Sequence, residues 1–404
     1  MSKVFIISYA CCPNKQSEFA IGWNYVVNLS KNQDLTVLTR AKNKDLILKY
    51  INKSNKENLK KINWIFYDFN QSLLYLKKLI GTQLYFYFWQ NLAYFKYRAF
   101  LNKEAFNYVH HLNYAVTWMS SPFHKIKGKF IWGPVGGGDS VPWSFLFKES
   151  FFNIFRESFY VLLNWFSDNI SITNKLSRKK SSKILFRTKK VAARHNKNGD
   201  ENKTAIICET GFDLNKIKHT EINFKDINAI IVGRMDYWKG IIYAVKGFEK
   251  YIKKGFEGKL VIIGDGKKYN DINKYIKKNN LENQIILKGK VSYTDYLNFV
   301  EKSNILIYPS FRDGGSFTVL ESMAMGKVVI CSNNSGPAEM VSDSAGFIIE
   351  TVCPEQYIND ICQNLINIKN NPERAKRKGQ LARERAKEFY TWDKLSDKVQ
   401  TYYC

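Results

Sequence analysis

The 404-residue sequence has little that would tie it to a metal, to an oxidising compartment or to the interior of a bilayer. Its seven cysteines are odd in number, scattered and without metal-ligand spacing, and adjacent Cys11 and Cys12 are poorly placed for an ordinary disulfide. That pattern excludes a disulfide framework, makes structural zinc unexpected and points to a reducing compartment. No apolar run approaches the ~20 residues that span a bilayer. Residues 1–10 already read as a strand, so no signal peptide is expected and the chain reads as soluble and cytoplasmic. Acidic residues are scarce, 36 Asp and Glu against 62 Lys and Arg, which leaves a net charge of +26. Nucleic acid is the reflex partner for such a surplus, but no helix-turn-helix pattern, zinc finger or aromatic RNA-binding signature accompanies it. Two readings of the charge remain. Lysines spread over solvated faces are one; the other is an anionic inner-membrane surface, met by the basic and aromatic stretch from Leu73 to Phe100.

What the chain does contain is strand and helix in alternation. At about 150 residues per domain its length suggests two or three domains. Val4–Ala10 is a short apolar run entering a loop, the form of a buried parallel strand. The loop carries Ser17, Glu18 and Gly22 and feeds a helix expected from about Trp23 to Lys31. Further strands are expected at Leu35–Thr39, Ile62–Phe69, Asn107–Leu112, Phe130–Trp132, Lys183–Arg187 and Thr204–Cys208, with an aromatic helical pair over 73–104 and amphipathic helix over 143–166. The strand ending at Trp132 runs into Gly133-Pro134-Val135-Gly136-Gly137-Gly138-Asp139, a backbone-exposing loop. Periodicity lapses between Glu209 and Asp226, a plausible linker, and then restarts with Ala229–Val232, Leu260–Ile263 and Ile285–Lys288. This order predicts α/β architecture with two doubly wound parallel sheets and ligands at the C-terminal strand ends.

The densest chemistry lies in Leu306–Ile330, which reads as buried strand, Gly-rich turn, helix and buried strand. Gly314, Gly315 and Ser316 sit between two acids, Asp313 and Glu321. Glycines ahead of a helix let backbone N–H groups approach an anion, and the helix N-terminus adds partial positive charge. Acids at the turn and in the helix suit polar hydroxyls such as those of a ribose or sugar. Upstream, Gly233-Arg234-Met235-Asp236-Tyr237-Trp238-Lys239-Gly240 leaves another buried strand. Arg234 and Lys239 there suit a diphosphate and the charge that builds on a departing phosphate.

Strand, Arg-x4-Lys, Gly264-Asp265-Gly266 after a strand, acid-x7-acid and Ser335-Gly336-Pro337-Ala338-Glu339 follow in an order that resembles retaining glycosyltransferase family 4, of bacterial surface-polysaccharide type. The resemblance covers most of residues 226–345. It extends more loosely to Ser17–Trp23, Trp132–Gly138 and Glu209–Asp213. It implies the GT-B fold, two Rossmann-like domains facing each other across a cleft. The expected boundaries are an acceptor domain over 1–209, a donor domain over 210–385, and a C-terminal helix over 386–404 packing back on the first. Gly22, Arg234 and Lys239 would meet the donor diphosphate. Gly315, Ser316, Phe317 and Thr318 would present backbone or hydroxyl groups to the phosphates. Glu321 would hold the ribose hydroxyls, Asp313 those of the transferred sugar, and backbone near Lys290 and Val291 the base. Gly137 and Gly138 would lie against the acceptor.

The implied reaction moves a hexose-type sugar, with retention, from a UDP- or GDP-linked donor to a glycan or lipid-linked glycan. It needs no cofactor or metal, and the sequence has no Asp-x-Asp pair that would hold a divalent ion on a diphosphate. Two departures stand out. The family's usual first glutamate is Asp313, one methylene shorter. The histidine many members carry at the end of the strand that here reaches Gly133-Pro134 is missing, with His110 and His111 on the preceding strand as substitutes. Because strand residues alternate faces, one of the pair is expected to point into the cleft, and resemblance favours His110 as catalytic. Two further readings stay open: a nucleotide-sugar-binding partner without catalysis, and another GT-B enzyme such as an epimerase.

Overall fold

A computed structural model of the chain describes residues 1–69, 76–195, 201–220 and 222–403. The chain divides into two compact units: residues 1–138, 161–209 and 392–404 form unit 1, and residues 139–160 and 210–391 form unit 2.

Unit 1 holds a seven-stranded sheet in the order β3-β2-β1-β4-β5-β6-β7. Its strands are β1 (Lys3–Ile7), β2 (Asp34–Arg40), β3 (Asn63–Tyr67), β4 (Tyr108–His111), β5 (Lys129–Val135), β6 (Ser181–Phe186) and β7 (Thr204–Ile206). Every pairing is parallel. Helices α1 (Glu18–Leu29), α2 (Lys44–Lys53), α3 (Glu57–Lys60) and α4 (Leu76–Lys103) connect the first four strands. After α5 (Trp143–Leu146) comes α6 (Phe151–Asn169), whose residues are divided between the units, then α7 (Ile172–Lys180) and α8 (Lys189–His195). β1 and β4 lie at the centre of the sheet, which is why Val4–Ile7 reads as continuously apolar and why Tyr108–His111 is buried at every position although two of its residues are histidines.

Unit 2 holds a six-stranded sheet in the order β10-β9-β8-β11-β12-β13. These strands are β8 (Ile227–Val232), β9 (Gly258–Ile263), β10 (Ile285–Gly289), β11 (Ile305–Tyr308), β12 (Val328–Ser332) and β13 (Phe347–Ile349). They alternate with α9 (Ile241–Lys253), α10 (Tyr269–Lys278), α11 (Tyr293–Lys302), α12 (Phe317–Ala324) and α13 (Gly336–Ala345), followed by α14 (Pro354–Asn370) and α15 (Pro372–Phe389). The strand order reverses between β8 and β11, where adjacent connections leave in opposite directions, the switch point beside which open α/β sheets take their ligands.

Several sequence expectations are corrected. The first helix begins at Glu18 rather than near Trp23, so Gly22 lies inside it. A Cβ on Gly22 would come within 2.1 Å of the Ala10 carbonyl oxygen, so glycine here serves a close approach of the helix to the loop that follows β1. The strand expected to stop at Trp132 continues to Val135. Helix α4 is interrupted at Gly81, which has φ 79°; the first part of the expected helical stretch, residues 73–75, lies outside the described residues. The same holds for Glu221 in the expected linker, whose other residues include a short 3-10 turn, Leu214–Lys216. Residues 139–160, expected in the first half, belong to unit 2 through Val141, Phe145 and Leu146, which are buried in its apolar core. At the C-terminus, α15 stays in unit 2 to Phe389, and α16 (Trp392–Gln400) is in unit 1, where Asp393 accepts from Lys31 that follows α1 at 2.7 Å.

Candidate functional site

The C-terminal ends of the unit 2 strands are brought together by backbone. Gly233 N–H donates to the Ile263 carbonyl at 3.0 Å, Met235 N–H to Asp265 at 2.9 Å, and Gly264 N–H to Gly289 at 2.8 Å. A Cβ on Gly264 would stand 1.9 Å from the Gly233 carbonyl oxygen, so the loops after β8 and β9 stack only because glycine is there. On the other side of β8, Phe311 N–H donates to the Trp238 carbonyl at 2.9 Å. Gly240 adopts the left-handed conformation at φ 60°, and a Cβ on it would lie 2.3 Å from the Pro309 carbonyl oxygen. The turn after β11 is fixed against the next helix in the same manner: Gly336 N–H donates to the Asp313 carbonyl at 2.7 Å.

This frame brings Lys239 and Asp313 into contact. The Lys239 ammonium donates to Asp313 Oδ2 at 2.7 Å and lies 3.3 Å from the Tyr308 hydroxyl, which itself donates to the same oxygen at 2.9 Å. Burial alone would lower the pKa of Lys239, but the charge of Asp313, the Tyr308 hydroxyl and the hydrogen bonds to both together outweigh it, and the net shift is upward. Arg234, treated as its equal in the sequence, is placed differently. Its side chain is 74% exposed, 3.6 Å from Asp236 and above the Trp238 ring at 5.5 Å. Of the two cations, one is paired and pre-placed while the other reaches into solvent.

Ser316 caps α12, its hydroxyl accepting from Val319 N–H at 3.3 Å. Gly315, Phe317 and Thr318 surround that helix start and are half-buried. Glu321 is one turn on and buried, with Oε1 accepting from Tyr293 at 2.7 Å and Oε2 from Tyr296 at 2.5 Å. Burial pushes its carboxyl pKa up, and the two phenol hydroxyls act against that push. Lys290 and Val291 follow the end of β10; Lys290 is exposed and 3.6 Å from Asp265.

Sequence reasoning missed the groups that hold these residues. Tyr293 and Tyr296, one turn apart on α11, carry no motif of their own; their spacing was the only available signal. Nor was the Glu157 carboxylate anticipated, although it is buried, accepts from Tyr237 at 2.7 Å and from Arg312 at 3.0 Å, and so anchors both loops beside Lys239 and Asp313. Arg156 and Arg312 each stand 4.9 Å from the Trp238 ring, which keeps that loop packed under guanidinium planes.

Unit 1 treats its expected residues differently. Gly22 is buried in α1. Gly137 and Gly138 follow β5 with φ 91° and 100°, and the Gly138 carbonyl accepts from Arg194 at 3.3 Å. His110 is fully buried, with Nδ1 2.5 Å from the Tyr403 hydroxyl and Nε2 2.7 Å from the Gly133 carbonyl oxygen. A carbonyl only accepts, so the proton sits on Nε2 and Nδ1 accepts from Tyr403. Burial lowers the His110 pKa to about 4, against the opposing bond to Gly133. His111 is also buried, 3.1 Å from the Asn113 carbonyl oxygen. The expectation that one of the pair faces a site is corrected: β4 is an inner strand covered on both faces, so alternation sends each ring into packed interior. Neither ring has an open side for a substrate. Among the described residues, no three His, Cys, Asp or Glu side chains converge as a metal site would require.

Comparison with known proteins places this geometry. Residues 213–385 match the protein-family model described as "Glycosyl transferases group 1". Sucrose synthase 3 of Arabidopsis thaliana is 30% identical over 94 residues, a stretch that makes up 23% of this chain and only 12% of that protein. Among solved structures, a glycosyltransferase from Rickettsia africae superposes with a TM-score of 0.63 at 17% identity, covering 100% of this chain and 97% of that one. Anabaena HepE, solved in complex with UDP, superposes with a TM-score of 0.63 at 11% identity, covering 99% of each chain. At such identities the structural likeness speaks for the fold. The chain therefore has the GT-B fold, and residues 213–385 carry its match to the glycosyl transferases group 1 family.

Proposed function

We propose that the protein is a retaining glycosyltransferase that moves a hexose-type sugar from a nucleoside-diphosphate donor to a glycan or lipid-linked glycan, at the cytoplasmic side of surface-polysaccharide synthesis. The observation that carries the reading is the meeting of Lys239, Asp313 and Tyr308 beside the glycine-rich start of α12, within the segment that matches the family. HepE, of the same fold, has been solved with UDP, which supports a nucleoside diphosphate as the anion bound here.

The residues divide the work as follows. The start of α12, at Gly315–Thr318, offers N–H groups and helix-dipole charge to the diphosphate. Lys239 supplies a fixed positive charge, and Arg234 swings from solvent onto the phosphates once a donor is bound. As the glycosidic bond breaks, both cations stabilise the departing nucleoside diphosphate without a metal ion. Asp313 gives up part of its hold on Lys239 to accept from the hydroxyls of the sugar. Glu321 accepts from the ribose through the lone pairs its two tyrosines leave free. Lys290 and Val291 border the base through backbone, which leaves uracil and guanine both admissible.

Purified protein assayed with UDP- and GDP-sugars should transfer to a glycan acceptor. Arg234→Ala and Lys239→Ala should each lower kcat by about 100-fold or more, the scale of losing one charge-stabilising group in a preorganised site. Full activity in both variants would falsify the assignment. Tight donor binding without turnover on any acceptor would instead favour the non-catalytic reading.

A further inference from the structure

Helix α6 is built inside out. Glu157, Asn164 and Ser167 lie along one face and are buried, each hydrogen-bonded to groups outside the helix or on the next one. Phe151, Phe155, Phe159, Leu162, Trp165 and Phe166 form a stripe on the opposite face, and Phe151 remains 82% exposed. Half of the large apolar side chains exposed among the described residues fall between Trp143 and Leu176. A soluble surface rarely leaves so large a contiguous apolar patch in water.

Charge around the stripe has one sign. The acids of the segment are each committed inside the chain: Glu149 to Lys268 at 2.8 Å, Glu157 to Arg312 at 3.0 Å and Asp168 to Arg178 at 2.8 Å. Lys148 before the helix and Lys175, Lys179 and Lys180 on α7 are exposed. No described helix is long and apolar enough to cross a membrane, so a lipid contact here would lie on the surface. An apolar helix face of Phe, Leu and Trp flanked by lysines is what an interfacial helix needs to enter the acyl boundary while its cations meet phosphate headgroups. A second copy fits less well, because pairing two such faces would set exposed lysines of a chain carrying +26 against one another.

We propose that α6 lies in the plane of an anionic phospholipid bilayer, with its aromatic stripe in the acyl boundary and the lysines of α7 at the headgroups. The surface proposed is on α6 and α7, apart from the stretch Leu73–Phe100 left open as a membrane contact by the sequence, and it stands independently of the transferase reading.

The test is sedimentation of the full chain with vesicles of phosphatidylcholine, with and without phosphatidylglycerol. The parent should bind the anionic vesicles. Phe155→Ser/Phe159→Ser/Leu162→Ser, which alters only exposed positions, should weaken that binding at least about tenfold with an unchanged thermal melt. Lys175→Glu/Lys179→Glu/Lys180→Glu should abolish the preference for phosphatidylglycerol. Failure of the parent to bind, or equal binding by the serine variant, overturns the proposal. So does a parent dimer that the serine variant dissociates, since that outcome assigns the face to a second copy.

Discussion

At the level of single residues, the Lys239–Asp313 contact carries the most consequence. Both side chains are largely buried, so each is compensated chiefly by the other. Removing one partner leaves an unpaired charge, which costs about 3–5 kcal/mol, whereas removing both costs much less. Asp313→Asn should therefore lower stability by about 3 kcal/mol, and Asp313→Asn/Lys239→Met should recover most of it, in urea titrations of the four-member cycle. Additive losses would show that the two side chains do not depend on each other. Glu321 invites a different comparison. If its carboxylate receives ribose hydroxyls, a 2′-deoxyribonucleoside diphosphate should bind the parent about tenfold more weakly than the ribonucleotide, a loss of one hydrogen bond to a charged group. In Glu321→Gln that difference should shrink, measured by calorimetry. The pairing of Asp313 with Lys239 was not legible in sequence, because it depends on how two loops 74 residues apart stack through glycine.

At the level of elements, β4 and α1 show where pattern reading works and where it fails. The strand itself was legible in the stretch Asn107–Leu112. The orientation of His110 and His111 was not, because alternation says that successive residues take opposite faces but not that either face is open. Buried neutral histidines have a measurable consequence. His110 has its pKa lowered to about 4, and His111 to about 3, both chiefly by burial. An unfolded chain takes up these protons near pH 6.5 while the folded one does not. Stability from the pair is thus fully present above about pH 6.5 and is lost as pH falls toward 4, worth about 3 kcal/mol for His110 alone. Thermal melts between pH 7 and pH 4.5 should show that decline, and His110→Asn should flatten it even if it lowers the melt at pH 7. An unchanged slope would remove His110 as a cause. Gly22 was misread for a related reason. Glycine was taken as a sign of loop, yet here it lets a helix approach the backbone of the loop after β1. Helix α14 went unread, although its signal was in plain view: a proline start and buried Tyr357, Ile361, Leu365 and Ile368 at helical spacing.

For the molecule as a whole, alternation of strand and helix carried the fold, since buried parallel strands and their covering helices write different apolar periods into the chain. Residues 139–160 were assigned to the wrong half because membership in a unit is decided by contacts far apart in sequence. A ligand that binds only the folded chain should stabilise it by mass action. With UDP or GDP at about 100 times its dissociation constant, about 2.7 kcal/mol should be added to the unit that binds it. A differential melt in which neither nucleotide moves any transition would count against a nucleoside-diphosphate site in unit 2.

The glycine contacts that stack the strand-end loops bear on how this protein can be dissected. Alanine scanning assumes that substitution removes atoms, but at Gly240, Gly264 and Gly336 it adds one that meets backbone. At Gly240 and Gly264 that atom would fall within 2.3 Å and 1.9 Å of a carbonyl oxygen. A scan there would register collapse of the scaffold and say nothing of an anion, because these glycines spend their N–H groups on neighbouring carbonyls. The N–H groups proposed to meet the donor phosphates are instead those at the start of α12, Gly315–Thr318. Backbone amide-to-ester replacement there, which deletes a single N–H without adding bulk, would test them.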